Sequence, residues 1–283
     1  MKLSVVVPCF NASTTLRDQL NALSRQSLPP WEVIVADNGS SDDSRRVALG
    51  FADRLPRLKV IDASARRGAS AARNAGAAAA TGDYLAFCDA DDEVDDAWVE
   101  NLARAFGAHD FVASRFDFER LNPGRRVTHE QQSGLQCCKY GFLPHAGGCG
   151  LGLPRSLHLA VGGFDESVRF LEDTDYCWKI QLRGTPLAFA ADAVVHVRQR
   201  ENPRQMLKQA RTWACSEVQL YKRYRGVGLR GPNNLAALRE WLRIPWFVFQ
   251  AMRGRRSWHA LAWRVGTRLG HLQGSLLFLT MIL

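Results

Sequence analysis

The chain has 283 residues, 46% of them apolar, and 37 Lys and Arg against 28 Asp and Glu, a formal net charge of +9. This is material for a full hydrophobic core, and it excludes a collagen-like, low-complexity or disordered protein. The seven cysteines, none in a C-x-x-C pair, fit buried free thiols in a reducing cytosol better than a disulfide framework.

The first half alternates strand and helix. "LSVVVP" (3–8) is a continuous apolar run, as in a strand buried on both faces. In the next segment Leu16, Leu20 and Leu23 share a helical face, Ser13 or Thr14 is placed to cap it, and Pro29–Pro30 stop it. "EVIVAD" (32–37) is a second buried strand that ends in the turn "NGSSDDS". A helix over roughly 42–54 leads to a strand "LKVIDA" (58–63). "GASAARNAGAAAATG" (68–82) predicts a helix of small side chains ended by Gly82, and "DYLAFCDADD" (83–92) a fourth strand. Strands alternating with crossover helices imply a parallel sheet with helices on both faces. Ligands of such sheets sit outside the carboxyl ends of the strands, where Asp37-Asn38-Gly39 and Asp89-Ala90-Asp91-Asp92 fall.

The pattern changes from about residue 110. "DFVASRFDF" and "PLAFAADAVVHV" predict strands, separated by a Gly-rich stretch and by "FLEDTDYCWKIQLRG" (170–184). In the latter, Leu171, Trp178 and Leu182 fall on one helical face. Beyond Asn202 the chain predicts helices rich in Trp, Leu and Arg, punctuated by Gly226, Gly228, Gly231-Pro232 and Gly254. Arg198 to Leu283 holds sixteen basic residues and three acids, +13, which leaves −4 for the rest. Such a tail suits an anionic surface as partner, or simply a solvated helical surface. The run "KLSVVVP" is too short for a signal peptide and predicts a strand, and no apolar run reaches the roughly 18–20 residues that span a bilayer.

Several polar groups carry possible chemistry. Asp89 and Asp91, two apart at a strand end, can turn toward one point and offer oxygens to Mg²⁺ or Mn²⁺. An acidic turn is the competing reading. Asp37-Asn38-Gly39-Ser40 can form an Asx turn, and its polar side chains can also meet a base edge. Arg73 is the one long side chain of its helix and can stand near phosphates. Glu172 and Asp173 suit a helix N-terminus, where the dipole favours carboxylates, or a general base facing a cleft. His196 ends a strand; most lone histidines are structural, but this position also allows a third metal ligand.

Taken together, "SVVVPCFNA", "EVIVADNGSSDDS", "RGASAARNAGAAAATGDYLAFCDADD", "VGGFDE" and "FLEDTDYCWKIQLRG" resemble the inverting family 2 glycosyltransferases of the GT-A fold, in order and spacing, over roughly residues 3–200. The resemblance implies an α/β fold, a mixed, mainly parallel sheet flanked by helices, with residues 201–283 as a basic, aromatic-rich helical appendage. It implies a nucleotide-sugar donor, UDP-sugar favoured, bound by Pro8, Asn11, Asp37, Asn38, Arg73, Asp89 and Ala90. Many members carry a second Asp where this chain has Asn38. It implies a divalent cation, Mn or Mg, on Asp89, Asp91 and His196, with Asp173 as catalytic base, Glu172 beside it, and Gly148–Gly152 near acceptor and donor sugar.

The acceptor expected is a hydroxyl of a glycan or lipid-linked molecule in cell-surface polysaccharide or glycolipid synthesis. "WLRIPWFVFQAMRGRRSWHALAWRVGTRLG" interleaves Trp and Phe with Arg, as helices in a membrane interface do. It favours peripheral contact with an anionic membrane at the cytoplasmic face over a packing appendage or oligomer interface. No nucleic acid is expected, and the oligomeric state stays open. The rival from another class is a non-catalytic membrane- or nucleic-acid-binding protein on a degenerate GT-A scaffold, which leaves Asp89, Asp91 and Asp173 without a purpose. A sugar-nucleotide pyrophosphorylase would need a Gly-rich loop after the first strand, and "PCFNASTTLR" has no glycine.

Overall fold

The computed structural model describes residues 1–124, 136–137, 141–199, 203–231, 234–254 and 258–282. It divides into two compact units, one of Met1–Gln136, Leu143–Ser167 and Glu172–Gln199, the other of Cys137–Phe142, Val168–Leu171 and Arg200–Leu283.

The first unit is built on a sheet whose strands are β1 (Leu3–Cys9), β2 (Glu32–Asp37), β3 (Lys59–Asp62), β4 (Tyr84–Phe87), β5 (Glu93–Val94), β6 (Val112–Asp117), β7 (Leu151–Pro154) and β8 (Ala188–His196). Their order is β3-β2-β1-β4-β7-β6-β8-β5. Pairs β1–β2, β2–β3, β1–β4 and β6–β8 are parallel; β4–β7, β6–β7 and β5–β8 are antiparallel. The expected mixed sheet is therefore present. Alternation along β1 explains its apolar run: Val5 and Val7 join the core that holds Leu16, Leu20 and Trp98, whereas Val6 joins the opposite one with Phe87, Tyr176 and Ile180.

The helices are α1 (Leu16–Ser24), α2 (Ser44–Leu49), α3 (Ala69–Ala79), α4 (Trp98–Ala105), α5 (Arg155–Ala160) and α6 (Glu172–Gln181). Three local expectations need correction. Neither Ser13 nor Thr14 caps α1; its N-cap is Thr15, whose hydroxyl donates to the Ala12 carbonyl instead. The helix of small residues ends at Ala79, and Gly82 serves a different purpose: a Cβ there would stand 2.7 Å from the Lys2 carbonyl, so glycine lets the turn close on β1. In α6 the buried face is Tyr176, Cys177, Trp178 and Ile180, while Leu182 is exposed and Leu171 precedes the helix with φ +59°. Cys9, Cys88, Cys149 and Cys177 are buried free thiols; the Cys137 side chain and Cys138 lie outside the described residues.

Glu32, at the start of β2, is fully buried. It accepts hydrogen bonds from Ser4 Oγ (2.6 Å) and Thr81 Oγ1 (2.9 Å) and pairs with Lys59 Nζ (2.7 Å). Burial opposes its charge, but Lys59, Ser4 and Thr81 outweigh burial and hold the carboxyl at about 2. A depressed carboxyl stabilises the fold above its unfolded value, about 4.3. That contribution is lost as pH falls toward about 2. In urea titrations at successive pH values, Glu32→Gln is expected to flatten this acid limb of the stability profile and to lower stability near neutrality.

In the second unit α7 (Pro203–Tyr224), α8 (Asn234–Met252) and α9 (Trp258–Phe278) are described. Gly226 and Gly228 fall in the turn after α7 and Gly254 follows α8, as punctuation should; Pro232 lies outside the described residues. Three glycines inside α9 were not part of that pattern. A Cβ on Gly266, Gly270 or Gly274 would collide with the carbonyls of Leu207, Arg211 and Cys215, so their bare backbone lets α9 lie against α7. His271 Nε2, buried beside them, meets Glu217 Oε2 at 2.8 Å. Gly270→Leu is expected to cost about 1–3 kcal/mol by overpacking, read as a lower thermal midpoint, with Gly270→Ala milder.

Candidate active site

The parallel register brings the ends of β1, β2 and β3 level: Cys9 opposes Asp37, and Asp37 opposes Asp62. A cleft of about 630 Å³ opens at this edge. Of the residues expected to bind donor or metal, Pro8, Asn11, Asn38, Arg73, Asp89, Ala90 and Asp91 line it. Asp37 is buried, and its Oδ1 accepts from Ser40 N, three residues on, at 3.0 Å, which closes the turn.

Asn38 is committed to building the cleft wall. Its Nδ2 donates to Ala63 O (2.6 Å) and Arg66 O (2.8 Å), and its Oδ1 accepts from Gly68 N (2.8 Å). This corrects the expectation that its amide addresses a base edge. It also gives the asparagine a reason: two carbonyls need a donor, and an aspartate has none. Asn11, held at φ +49°, accepts from Ser41 N at 2.8 Å and so ties the β1 end to the same loop.

The carboxylates converge through one cation. Arg73, 4% exposed, donates from Nη2 to Asp89 Oδ1 (2.8 Å) and from Nη1 to Glu172 Oε1 (2.9 Å). Burial opposes its charge, yet Asp89 and Glu172 outweigh it and hold the guanidinium above its ordinary value. A Cβ on Gly148 would lie 2.7 Å from Arg73 Cζ, so that glycine makes room for the guanidinium. Gly148 N donates to Asp173 Oδ2 at 3.2 Å, and Thr174 N donates to Asp173 Oδ1 at 2.7 Å. Burial raises Asp173 from the usual carboxylate value, against Arg73 and these two N–H groups. Burial and the charge of Asp173 raise Glu172 likewise.

Next to Arg73 on α3, Asn74 closes on the "VGGFDE" loop. It accepts from Phe164 N (2.8 Å) and donates to Phe164 O (2.9 Å) and Glu166 Oε1 (3.0 Å). Beneath it Phe164 stacks on Tyr176 at 3.9 Å, and Tyr176 bonds the buried His158.

The acidic loop after β4 is held from two sides. Gln19 of α1, fully buried, donates to Asp89 O and accepts from Val94 N, both at 3.0 Å. Arg198 donates from its backbone to Asp92 Oδ1 (2.9 Å) and from Nε to Asp91 O (3.1 Å). Donor atoms of Asp89, Asp92 and Cys149 lie within 4.8 Å of one another. Burial and the charges of Asp91 and Asp89 push Asp92 well above the usual carboxylate range. Clustered oxygens that repel one another fit a hard divalent cation.

His196 is not part of this set. Its Nδ1 meets Asp117 Oδ2 at 2.5 Å, and its Nε2 faces Arg120 Nη1 at 3.2 Å and Asp95 Oδ2 at 3.7 Å. The sheet order explains the correction: β7 and β6 stand between β4 and β8. Sequence reasoning missed Gln19, Arg198, Asn74, Cys149 and the cleft-lining Arg67 as parts of the site. Arg67, in the quoted "RGASAARN" segment, was the one such cation with a readable signal.

The sequence profile of glycosyl transferase family 2 matches residues 4–159, more than half of the chain. The chain belongs to that family. Among its relatives, the uncharacterized glycosyltransferase YibD of Escherichia coli K12 is 41% identical over 101 residues, 36% of this chain and 29% of YibD. The UDP-Glc:alpha-D-GlcNAc-diphosphoundecaprenol beta-1,3-glucosyltransferase WfgD of Escherichia coli is 33% identical over 99 residues, 35% of this chain and 37% of WfgD. The match thus spans about a third of each relative's length. Two solved structures share the fold. TarS 1-349 of S. aureus, in complex with UDP-GlcNAc, has a TM-score of 0.59 at 18% identity, covering 98% of this chain and 92% of that one. The mannosyltransferase PcManGT of Pyrobaculum calidifontis, with GDP-Man and Mn²⁺, has a TM-score of 0.63 at 19% identity, covering 98% and 87%.

Asn38→Asp removes two donated hydrogen bonds and sets a carboxylate against two carbonyls. It is expected to cost about 1–3 kcal/mol by denaturant titration and to weaken nucleotide binding measured by calorimetry.

Proposed function

We propose that this glycosyltransferase is inverting and cation-dependent. On this reading it moves a sugar from a nucleoside-diphosphate donor, UDP-sugar favoured, to a hydroxyl of a glycan or lipid-linked acceptor. The observation that carries the proposal is the meeting of Asp89 and Glu172 on Arg73, with Asp173 beside Glu172. It joins the residues expected to face the donor diphosphate to those expected to face the acceptor. The donor lies along the cleft, over Pro8, Asn11 and Ala90 and above the turn that Asp37 closes. Asp173 accepts the proton of the acceptor hydroxyl. That oxygen bonds to the anomeric carbon from the face opposite the diphosphate, the bond to the diphosphate breaks, and configuration inverts once. Gly148 N and Thr174 N aim the Asp173 carboxylate, and Arg73 holds Glu172 next to it. Asp89 and Asp91, supported by Asp92, would hold Mg²⁺ or Mn²⁺, which when bound offsets the charge on a departing diphosphate.

The same proposal sets the enzyme at the cytoplasmic face of a membrane, held peripherally, in synthesis of a surface polysaccharide or glycolipid. Relatives named for undecaprenol-linked and amylovoran products support that class of acceptor. Among the described residues no helix is long and apolar enough to cross a bilayer.

The test is release of nucleoside diphosphate over a panel of donors and acceptors, with and without Mn²⁺. Asp173→Asn is expected to lower turnover by about 10²–10⁴-fold with donor affinity nearly unchanged. Asp91→Ala is expected to remove the Mn²⁺-dependent part of nucleotide binding. A base must be deprotonated, and Asp173 is raised, so kcat is expected to fall on the acid side at a pH above the ordinary aspartate value. No release from any donor would favour the non-catalytic scaffold, and Asp173→Asn with normal turnover would remove the base assignment.

A further inference from the structure

The helical unit presents one face of α8 that its own packing leaves outside. Leu238, Leu242, Trp246, Phe249 and Met252 are 50%, 74%, 49%, 45% and 70% exposed. At 100° per residue these five fall within one third of the helix circumference. The buried side chains of α8, Ala237, Phe247 and Ala251, lie on the opposite side. So does Glu240, which turns inward to pair with Arg264 of α9. The stripe is therefore a second apolar face on a helix whose first face is already used.

We propose that this α8 stripe docks the protein on an anionic lipid bilayer surface. This deepens the membrane placement proposed above and does not depend on the donor chemistry. Charge selects the occupant. Residues 234–282 contain seven arginines and one acid, Glu240. That acid is paired with Arg243 and Arg264, so the outer side of α8 presents only positive charge. Arg239 and Arg243 are exposed along one flank of the stripe, and the Arg253 guanidinium lies 4.1 Å over the Phe249 ring at its end. Leucines that enter the acyl boundary, aromatic rings at headgroup depth and arginines that reach phosphates make up an interfacial helix lying in the membrane plane. A soluble protein partner would need an acidic apolar groove; a leaflet offers both features over its whole area.

The experiment is flotation of the full chain with phosphatidylcholine vesicles, with and without about one-third phosphatidylglycerol. The wild type is expected to float with the anionic vesicles and far less with the neutral ones. Leu242→Glu and Phe249→Glu, both at exposed positions, are expected to lower the partition coefficient at least about tenfold. Arg239→Glu is expected to weaken anionic binding about fivefold or more and to lose that effect in high salt. Leu49→Glu, at a position 54% exposed on α2, is the control and is expected to float as the wild type does. Circular dichroism checks that each variant is folded. A wild type that stays with the soluble fraction in both vesicle types overturns the proposal, as does a Leu242→Glu protein that floats normally. Stripe-dependent self-association without flotation, read by sedimentation, also overturns it and assigns the face to a second copy. Nucleotide release is measured separately, so flotation without release removes the enzymatic reading alone.

Discussion

A buried guanidinium must find its counter-charges inside the protein, and Arg73 finds two, from elements far apart in the chain. That pairing fixes Asp89, at the end of β4, relative to Glu172, at the start of α6. Much of the surrounding structure serves it. Gly76, three residues on, brings α3 close to Val6 of β1, which sets the depth of the helix. Asn74, one residue on, anchors the loop at Phe164. Gly148 leaves the space that the guanidinium fills, and its N–H meets Asp173. One short helix thus carries the helix–sheet contact, the loop anchor and the shared cation within four positions.

The same logic explains why the acidic loop can exist in a buried place. Asp92 is 4% exposed beside Asp89 and Asp91, and its carboxyl is raised because like charges and burial both disfavour ionisation. Gln19 and Arg198 do not neutralise that cluster through its carboxylates alone. They bond largely to its backbone, at Asp89 O, Val94 N and Asp91 O, and so hold the loop's shape. Arg73 meets part of the electrostatic demand at Asp89, and the proposed cation would meet more of it. Cys149 contributes a buried thiol hydrogen-bonded to Asp92, which favours the ionised form of that carboxyl.

The order of the polar clusters along the chain was legible because period and punctuation are local: apolar runs, turn residues and the spacing of acidic residues all lie within a few positions. The sheet and the placement of Asp37 and Asp89 at its carboxyl edge followed from that. What was hidden depended on contacts across the chain. Gln19 sits one position from the predicted apolar face of α1 and carries no local sign of its partners, which are 70 and 75 residues away. His196 stands at a strand end, as expected, but strand order decides whom it meets, and β8 lies beyond β6. Asn38 showed its turn chemistry, but not that both of its amide protons are taken by the loop after β3. Leu171 and Leu182 matched a helical period, yet that period does not say which part of the helix is covered.

The helical unit resolves a different conflict. Its helices are rich in large apolar residues, and a single pair of helices cannot bury them all. Close packing of α9 on α7 runs through Gly266, Gly270 and Gly274, where backbone meets backbone, and the Trp213 and Trp263 rings meet edge to face beside it. Large apolar side chains also lie on other faces of these helices. On α8 they divide between an inner face with Phe247 and Ala251 and the outer row from Leu238 to Met252. The single acid of α8 could have made that outer row more soluble, but it points inward to Arg264 instead. An exposed apolar row kept free of negative charge is unfavourable in water alone, and it becomes favourable against a surface that is apolar below and anionic above.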